Sequence, residues 1–195
     1  MNKNTKKLLW IGIPVIFILI IVFSAIGTYN SLAKSKQNVD AQWSQVENVM
    51  QRRYDLIPNL VNSVKGSMKQ EQKVFGQIAE ARKSYGNANS ASDKMKANAK
   101  INSSVGTLIN AISENYPELK SNENVSSLMI QLEGSENRIS VERRRYNDQV
   151  KKYNNSIVTF PKNLMAGALG YHRISYFQAD GEAKKTPTVD LDTGK

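Results

Sequence analysis

The chain has 195 residues, of which 40% are hydrophobic and 8% aromatic, a composition typical of one folded domain with additional segments. It contains no cysteine, which excludes a disulfide framework, a thiol nucleophile, a cysteine metal site and a lipoprotein anchor, since that lipid is attached to a cysteine. The formal net charge of +10 favours anionic neighbours such as lipid headgroups, envelope polymers, acidic proteins or nucleic acid.

Residues 8–27, LLWIGIPVIFILIIVFSAIG, form an apolar run without a charge. Twenty helical residues extend about 30 Å, which matches the hydrocarbon thickness of a bilayer. The apolar part of a cleaved signal peptide is usually about 7–15 residues long, so the length favours a retained transmembrane anchor. Lysines are more frequent before the run than directly after it, and the positive-inside rule then places the N-terminus in the cytoplasm and the following domain outside.

Apolar residues after the anchor recur at steps of three and four from Val39 to Ile78, which is typical of one face of a helix. The pattern predicts a first helix that runs to about Ser84. Pro58 lies within the apolar stripe and removes one backbone hydrogen bond, so a bend is expected there. The pattern leaves open whether the helix is continuous through Pro58 and Gly66.

Residues 85–93, YGNANSASD, are rich in glycine, asparagine and serine and predict a loop. A second helix follows, because apolar residues step by four, three and four from Ile101 to Ile112. We expect this helix to stop at Asn115, since the residue before Pro117 avoids the helical region.

The third helix has a seven-residue repeat. Its members are Val125, Leu132, Ile139, Tyr146, Tyr153 and Phe160, with Met129, Val150 and Ile157 at companion positions. A repeat of this length implies antiparallel helices packed with a slight left-handed supercoil. The Phe160-Pro161 pair ends the helix, residues 163–170 form a short turn, and the only extended piece expected is the ISYF segment.

Charged residues interrupt these apolar stripes at positions that should be apolar. Because a charge cannot be buried alone, we expect a charged layer across the helices. Its candidates are Arg52, Arg53, Asp55, Glu136, Glu142 and Arg143. Such a layer adds little net stability, but it can fix the register of the helices.

Residues 138–154 are strongly basic, and two tyrosines are interleaved with the charges. Candidates for an anion contact are Arg144, Arg145, Lys151 and Lys152. Basic and aromatic residues alternate in some nucleic-acid binders, but Tyr146 and Tyr153 lie on the apolar stripe and core packing explains them. A solvated helix face is the simpler interpretation, and a contact with lipid headgroups, an anionic polymer or an acidic partner is the functional one.

The sequence offers little for catalysis. His172 is the only histidine, so a transition-metal site is not expected. Asp55, Glu136 and Glu142 could form an acid–base pair, but the charged layer accounts for them with fewer assumptions. We expect no catalytic residue, no metal and no cofactor.

Several motifs resemble the LemA family of bacterial membrane-anchored helical proteins. They include QRRYDLIPNLVNSVKG (51–66), NYPELKSNENV (115–125) and LEGSENRISVERRRYNDQVKKYNNSI (132–157), and their order holds over residues 29–177. The resemblance implies an up-and-down helical bundle behind one membrane helix. It implies no established reaction, and it suggests an adaptor that assists a membrane protease or another membrane protein.

We therefore predict an all-α fold with a single N-terminal transmembrane helix followed by an antiparallel up-and-down bundle of three to four long helices. The expected segments are a basic tail (1–7), the anchor (8–28), the bundle (29–170) and a C-terminal segment with a disordered tail (171–195). The predicted function is that of a non-enzymatic scaffold or adaptor in the cell membrane. Its partners would be the bilayer and a membrane protein, with no nucleic acid. The alternative is a binder of anionic envelope polymer or lipid headgroups.

Overall fold

The computed structural model of the chain describes residues 3–177, and it describes side chains from Gly12 onward. Within that range the protein is all-α, with six helices and no strand. The helices are α1 (Lys3–Val64), α2 (Gln72–Gly86), α3 (Ala91–Asn115), α4 (Pro117–Lys120), α5 (Glu123–Val158) and α6 (Lys162–Ala168). The side chains of the predicted basic tail lie outside the described residues, and so do residues 178–195 of the C-terminal segment and disordered tail predicted over 171–195.

The predicted anchor is part of α1. This helix is long and apolar enough to cross a membrane, with a mean hydropathy of 2.3 in its most apolar window. Its large apolar side chains from Ile13 to Phe23 are 46–71% exposed. Side chains of this kind are unfavourable in water and favourable in lipid, where a helix also satisfies its own backbone hydrogen bonds.

The first helix is shorter than predicted. α1 continues through Pro58 but ends at Val64, and the prediction of a helix to about Ser84 is wrong. A turn over residues 65–71 follows, in which the backbone N–H groups of Ser67 and Met68 both donate to the Val64 carbonyl at 3.0 Å. Gly66 favours the break because glycine costs about 1 kcal/mol relative to alanine inside a helix.

The other boundaries lie close to the predicted ones. The connection between α2 and α3 is shorter than the predicted loop, because α2 extends to Gly86 and α3 starts at Ala91. Ser90 caps α3, since its hydroxyl oxygen accepts a hydrogen bond from the backbone N–H of Asp93 at 3.1 Å. α3 ends at Asn115, as predicted from Pro117. The short helix α6 covers residues 162–168, where a turn was predicted over residues 163–170.

The chain divides into two compact units, and the first contains the described part of residues 1–44 together with residues 144–175. Its buried apolar residues are Leu32 and Val39 on α1, Tyr146, Val150, Tyr153 and Ile157 on α5, and Ala166 on α6. Trp43 meets Tyr146 edge to face, with ring centroids 5.5 Å apart. The contact between Trp43 and Tyr146 holds α1, beyond the apolar run, against α5.

The segment after α6 forms no strand, although a short extended piece was expected there. Its backbone is held by side chains of α5. The Asn154 amide donates to the Ile174 carbonyl and accepts from the Ile174 N–H, both at 2.9 Å. The Tyr153 hydroxyl donates to the His172 carbonyl at 2.9 Å. Two side chains thus replace the partner strand that this backbone lacks.

The second unit contains residues 45–143 and the described residues from Tyr176 onward. Within it, α2 packs against α3. The apolar stripes of α1, α3 and α5 are buried here as their spacing predicted. The least exposed residues of these stripes, including the turn after α1, are Val46, Met50, Ile57, Leu60, Val64, Met68, Val105, Leu108, Ile112, Leu132 and Ile139. The turn does not interrupt the first stripe, because Met68 is fully buried.

The seven-residue repeat of α5 is buried from Val125 to Tyr153. Its last predicted member, Phe160, is 75% exposed, so its assignment to the apolar stripe is wrong. The physical reason is that α5 ends at Val158, and a heptad position has no meaning beyond the end of its helix.

We expect Ile139→Ala to destabilise the protein by about 2–5 kcal/mol, because it removes a side chain that is only 1% exposed and leaves a cavity. Val141→Ala, on the same helix but 42% exposed, is the matched control and should change stability by about 0.5 kcal/mol or less. Denaturant unfolding of the full chain in detergent measures both. Equal stability of the two variants would contradict the buried position of Ile139.

Candidate functional site

A polar cluster crosses the apolar interior of the second unit. We call it the Arg53 cluster, and it consists of Arg53 on α1, Asn102 on α3 and Glu136 on α5. The Arg53 guanidinium donates from Nη1 to Asn102 Oδ1 and forms an ion pair with Glu136 Oε2. Asn102 in turn donates from its amide to Glu136 Oε1 at 3.0 Å. One residue from each of three helices therefore closes a ring of hydrogen bonds.

The two charges of the Arg53 cluster differ in their access to water. The Arg53 side chain is 6% exposed, whereas that of Glu136 is 35% exposed. A guanidinium is always charged, so this one depends on its protein partners for the hydration that it has lost. The carboxylate keeps part of its hydration. The cluster is therefore asymmetric, and Arg53 is the member that needs its partner.

The structure separates most other candidates from this cluster. Arg52 is exposed, since a helical step of 100° turns it away from the side on which Arg53 is buried. Asp55 is also exposed and accepts a hydrogen bond from the Gln51 amide at 2.9 Å. Glu142 is half-buried. Arg143 is half-buried and lies over the Phe177 ring, 5.5 Å from its centroid.

A second cluster surrounds Tyr85 at the end of α2. The centroid of its ring lies 5.2 Å from that of the Tyr54 ring. The Arg82 guanidinium lies over the Tyr54 ring, 4.4 Å from its centroid. Glu47 and Lys94 form an ion pair, and the Lys94 ammonium is 6.0 Å from the Tyr85 centroid. Among the described residues, the Tyr85 hydroxyl is buried without a hydrogen-bond partner.

The surroundings of Tyr85 disfavour its phenolate. Burial, together with the smaller effects of the nearby carboxylates of Glu47 and Asp55, raises the pKa of Tyr85 to about 12. The folded protein therefore retains this proton at a pH where an unfolded chain loses it. Nothing in this arrangement activates the hydroxyl as a nucleophile or base near neutral pH, because both effects favour the neutral form.

The four basic candidates for an anion contact all lie in the first unit and are exposed: Arg144, Arg145, Lys151 and Lys152. The interleaved tyrosines are not available to a ligand, because Tyr146 is 3% and Tyr153 1% exposed. Burial also raises the pKa of both tyrosines. The tyrosines of this stretch of α5 thus give these cations no stacking platform, which suits phosphate or carboxylate groups better than bases.

In the described part of the chain, no three histidine, aspartate or glutamate side chains are placed to hold a metal ion. An open groove of about 550 Å³ lies at the turn after α1, with Val61, Met68 and Phe75 beside Lys65 and Lys69. None of its lining residues is a carboxylate or a histidine. The groove therefore offers neither a carboxylate nor an imidazole as a general acid or base.

Sequence reasoning missed Asn102 and Tyr85. Asn102 directly follows Ile101, so its position at the edge of the apolar stripe is readable from the sequence. An asparagine amide can accept a hydrogen bond from a cation and donate one to a carboxylate at the same time, and this property was the signal that could have identified Asn102. Tyr85 was assigned to a loop because Gly86 and the following asparagines suggested one. Its ring becomes buried because α2 continues for two residues more than predicted.

The asymmetry of the Arg53 cluster predicts unequal effects of removing its two charges. Glu136→Leu leaves a buried guanidinium without its carboxylate and should cost about 3 kcal/mol. Arg53→Met leaves a carboxylate that is one-third exposed and still bonded to Asn102, and should cost about 1 kcal/mol.

The double variant Arg53→Met/Glu136→Leu should recover most of the loss, because no charge remains to be desolvated. Arg52→Met, at the exposed neighbour, is the matched control and should be close to the parent. Denaturant unfolding of the full chain in detergent supplies the double-mutant cycle. Additive effects of the single changes would remove the ion pair from this explanation.

Tyr85→Phe removes a buried hydroxyl without a partner, so at pH 7 we expect a change of about 1 kcal/mol or less. Because the folded pKa of about 12 lies above the ordinary value of 10, Tyr85 contributes stability below pH 10 that is lost as pH rises toward 12. The parent should therefore lose stability more steeply than the variant above pH 10.

Thermal unfolding at a series of pH values compares the parent, Tyr85→Phe and the exposed Tyr176→Phe. The third protein controls for the loss of a tyrosine hydroxyl in general. Identical slopes above pH 10 for the parent and Tyr85→Phe would contradict the raised pKa of Tyr85.

Comparison with known proteins shows which family the chain belongs to. The chain is 24% identical to magnetosome protein MamQ 1 of Paramagnetospirillum magneticum over 203 aligned positions, which cover 91% of this chain and 74% of the relative. It is 23% identical to magnetosome protein MamQ of Magnetospirillum gryphiswaldense, covering 93% and 75%. It is 24% identical to protein LemA of Metamycoplasma hominis, covering 98% and 86%. The family model of the LemA family matches residues 42–191, and the chain therefore belongs to the LemA family.

Proposed function

We propose that the protein is a non-enzymatic scaffold or adaptor that a single transmembrane helix anchors in the cell membrane. The observation that carries this proposal is the continuity of α1. The helix passes without a break from the exposed apolar side chains of Ile13 to Phe23 to Leu32 and Val39, which are buried in the first unit. A domain connected in this way is held directly at the membrane, with no flexible linker between anchor and core.

We also propose that the long helices form an antiparallel up-and-down bundle. Two contacts in the first unit support this arrangement. Ser31 on α1 contacts Lys162 just after α5, whereas Trp43, further along α1, contacts the earlier residue Tyr146. The two chain segments therefore run in opposite directions. In the second unit the Arg53 cluster connects α1, α3 and α5, as expected for neighbouring helices of a bundle.

The proposal of a non-enzymatic role is supported by the chemistry of the described residues. The charged residues near the apolar interior are engaged with one another or with aromatic rings, and Tyr85 is held in its neutral form. The magnetosome relatives are named for the structure to which they belong and not for a reaction. A scaffold needs a stable surface and a fixed location, and both follow from a helical domain on a membrane helix.

We place the domain on the outer side of the membrane, because lysines are more frequent before the apolar run than directly after it. The absence of cysteine is compatible with that location. A membrane protein is the proposed partner class, since the anchor confines encounters to the plane of the bilayer.

A specific observation favours a second candidate function. Arg144, Arg145, Lys151 and Lys152 are all exposed within one stretch of α5. This surface fits an anionic envelope polymer or lipid headgroups, whose attraction to exposed cations decreases as salt increases.

Crosslinking in living cells tests the two proposals together. A membrane-impermeant and a membrane-permeant amine crosslinker should capture the same discrete protein partner, and the complex should withstand membrane washes with about 0.5 M salt, where exposed charges are screened. The matched variant replaces the four exposed basic residues by glutamine. It should retain the partner if the protein is an adaptor.

Capture with the permeant reagent alone would place the domain in the cytoplasm and contradict the proposed orientation. Loss of the partner in the glutamine variant, together with release by salt, would favour the anionic polymer or headgroup function. Absence of any discrete partner with both reagents would contradict the adaptor proposal.

A further inference from the structure

Most exposed large apolar side chains beyond the anchor lie at one end of the first unit. Among the described residues after the apolar run, eight large apolar or aromatic side chains are exposed, and five of them are Tyr29, Val158, Phe160, Leu164 and Leu169. Phe160 and Leu164 are the most exposed of all eight, at 75% and 69%. The other three are Ile130, Val141 and Tyr176. Single exposed apolar residues are normal on a protein surface, but a group of them marks a contact surface.

A hydrogen bond fixes the depth of this surface relative to the membrane. The Lys162 ammonium donates to the Ser31 hydroxyl at 2.8 Å, so the start of α6 lies beside Ser31. Ser31 is four residues beyond Gly27, the end of the apolar run, and four helical residues extend about 6 Å. The headgroup layer of one leaflet is about 5–7 Å thick. The start of α6 therefore lies at the level of the headgroups if the apolar run occupies the hydrocarbon.

The two sides of α6 have different environments. Ala166 is 3% exposed and faces the protein, whereas Leu164 is 69% exposed. Residues that are two positions apart differ in direction by about 200° around the helix axis, so Leu164 lies on the side opposite to Ala166. Lys162 can bond Ser31 and a lipid phosphate at the same time, because an ammonium has three donors. An apolar face beside a cation is the combination that interfacial helices present to a bilayer.

We propose that residues 158–169 form a second membrane contact, in which Phe160 and Leu164 enter the headgroup layer of the leaflet from which α1 emerges. The inference rests on the proposed membrane anchor and adds to it. With two points of attachment, the transmembrane helix and α6, the first unit is held in one orientation to the bilayer. Tyr29 lies at the same level, where tyrosine rings are favoured.

Because the chain has no cysteine, single-cysteine variants of the full protein can be labelled without background. The positions are Phe160→Cys and Leu164→Cys, each carrying an environment-sensitive fluorophore. Asp148→Cys is the matched control in the same unit. It lies near Tyr146, whose partner Trp43 is 12 residues beyond Ser31 on α1, or about 18 Å. Ile20→Cys, within the apolar run, reports on the anchor.

The labelled proteins are placed in vesicles of phosphatidylcholine and phosphatidylglycerol, with a nitroxide on the headgroup or on the acyl chain of some lipids. Labels at 160 and 164 should be quenched several-fold more strongly by headgroup nitroxide than the label at 148, and their emission should shift to shorter wavelength. The label at 20 should be quenched by acyl-chain nitroxide. Two positions are tested so that one defective variant leaves the other to decide.

Labels at 160 and 164 that behave like the label at 148 would overturn the inference. So would labels shielded from water but not quenched by lipid nitroxide, since a second copy of the chain or another protein would then cover the surface. In both cases normal quenching at 20 shows that the anchor is intact and that only the second contact is wrong. Failure at 20 as well would overturn the membrane anchor itself.

Discussion

A helix must remove its apolar side chains from water, and α1 has apolar residues in two parts that require two different surroundings. From Ile13 to Phe23 they are exposed on all sides of the helix, an arrangement that is unfavourable in water and favourable in lipid. From Leu32 onward they occupy one stripe at helical spacing, which other helices cover.

The Arg53 cluster is the exception within that apolar interior. A guanidinium enclosed at 6% exposure is tolerable because protein groups such as Asn102 and Glu136 replace its hydration. Such a group adds little to stability relative to well-packed apolar side chains, but a shift of α5 would separate it from Glu136 and a shift of α3 would separate it from Asn102. The Arg53 cluster therefore selects one arrangement of the helices. This suits a protein whose proposed role depends on presenting one surface.

The two units differ in the features that they offer. The first contains the apolar part of α1, the exposed basic residues of α5 and the exposed apolar residues around α6. The second contains the Arg53 cluster and the Tyr85 cluster, whose polar groups interact mainly with one another. Contacts with lipid or with anionic molecules are accordingly proposed for the first unit, and the structural clusters of the second are not proposed to bind a ligand.

The sequence by itself determined the helical class, the apolar segment and most of the buried residues. Hydrophobic periodicity is a local property, and the stripes of α1, α3 and α5 are readable from steps of three, four and seven. Pro117 likewise ended α3 where predicted, because its effect on the preceding residue is local. The pairing of Arg53 with Glu136 could be anticipated, since buried charges need partners. The sequence did not show, however, that Asp55 lies outside this pairing.

Only the tertiary structure decided which side chains meet and which remain exposed. Asn102 joined the Arg53 cluster because α3 approaches α1 and α5 at that level, and no local pattern encodes this approach. Asp55 stayed outside the cluster because its direction from the helix axis differs from that of Arg53. Phe160 changed from a predicted core residue to an exposed one because α5 ended two residues earlier. Such outcomes depend on distances between segments far apart in the chain, which periodicity does not contain.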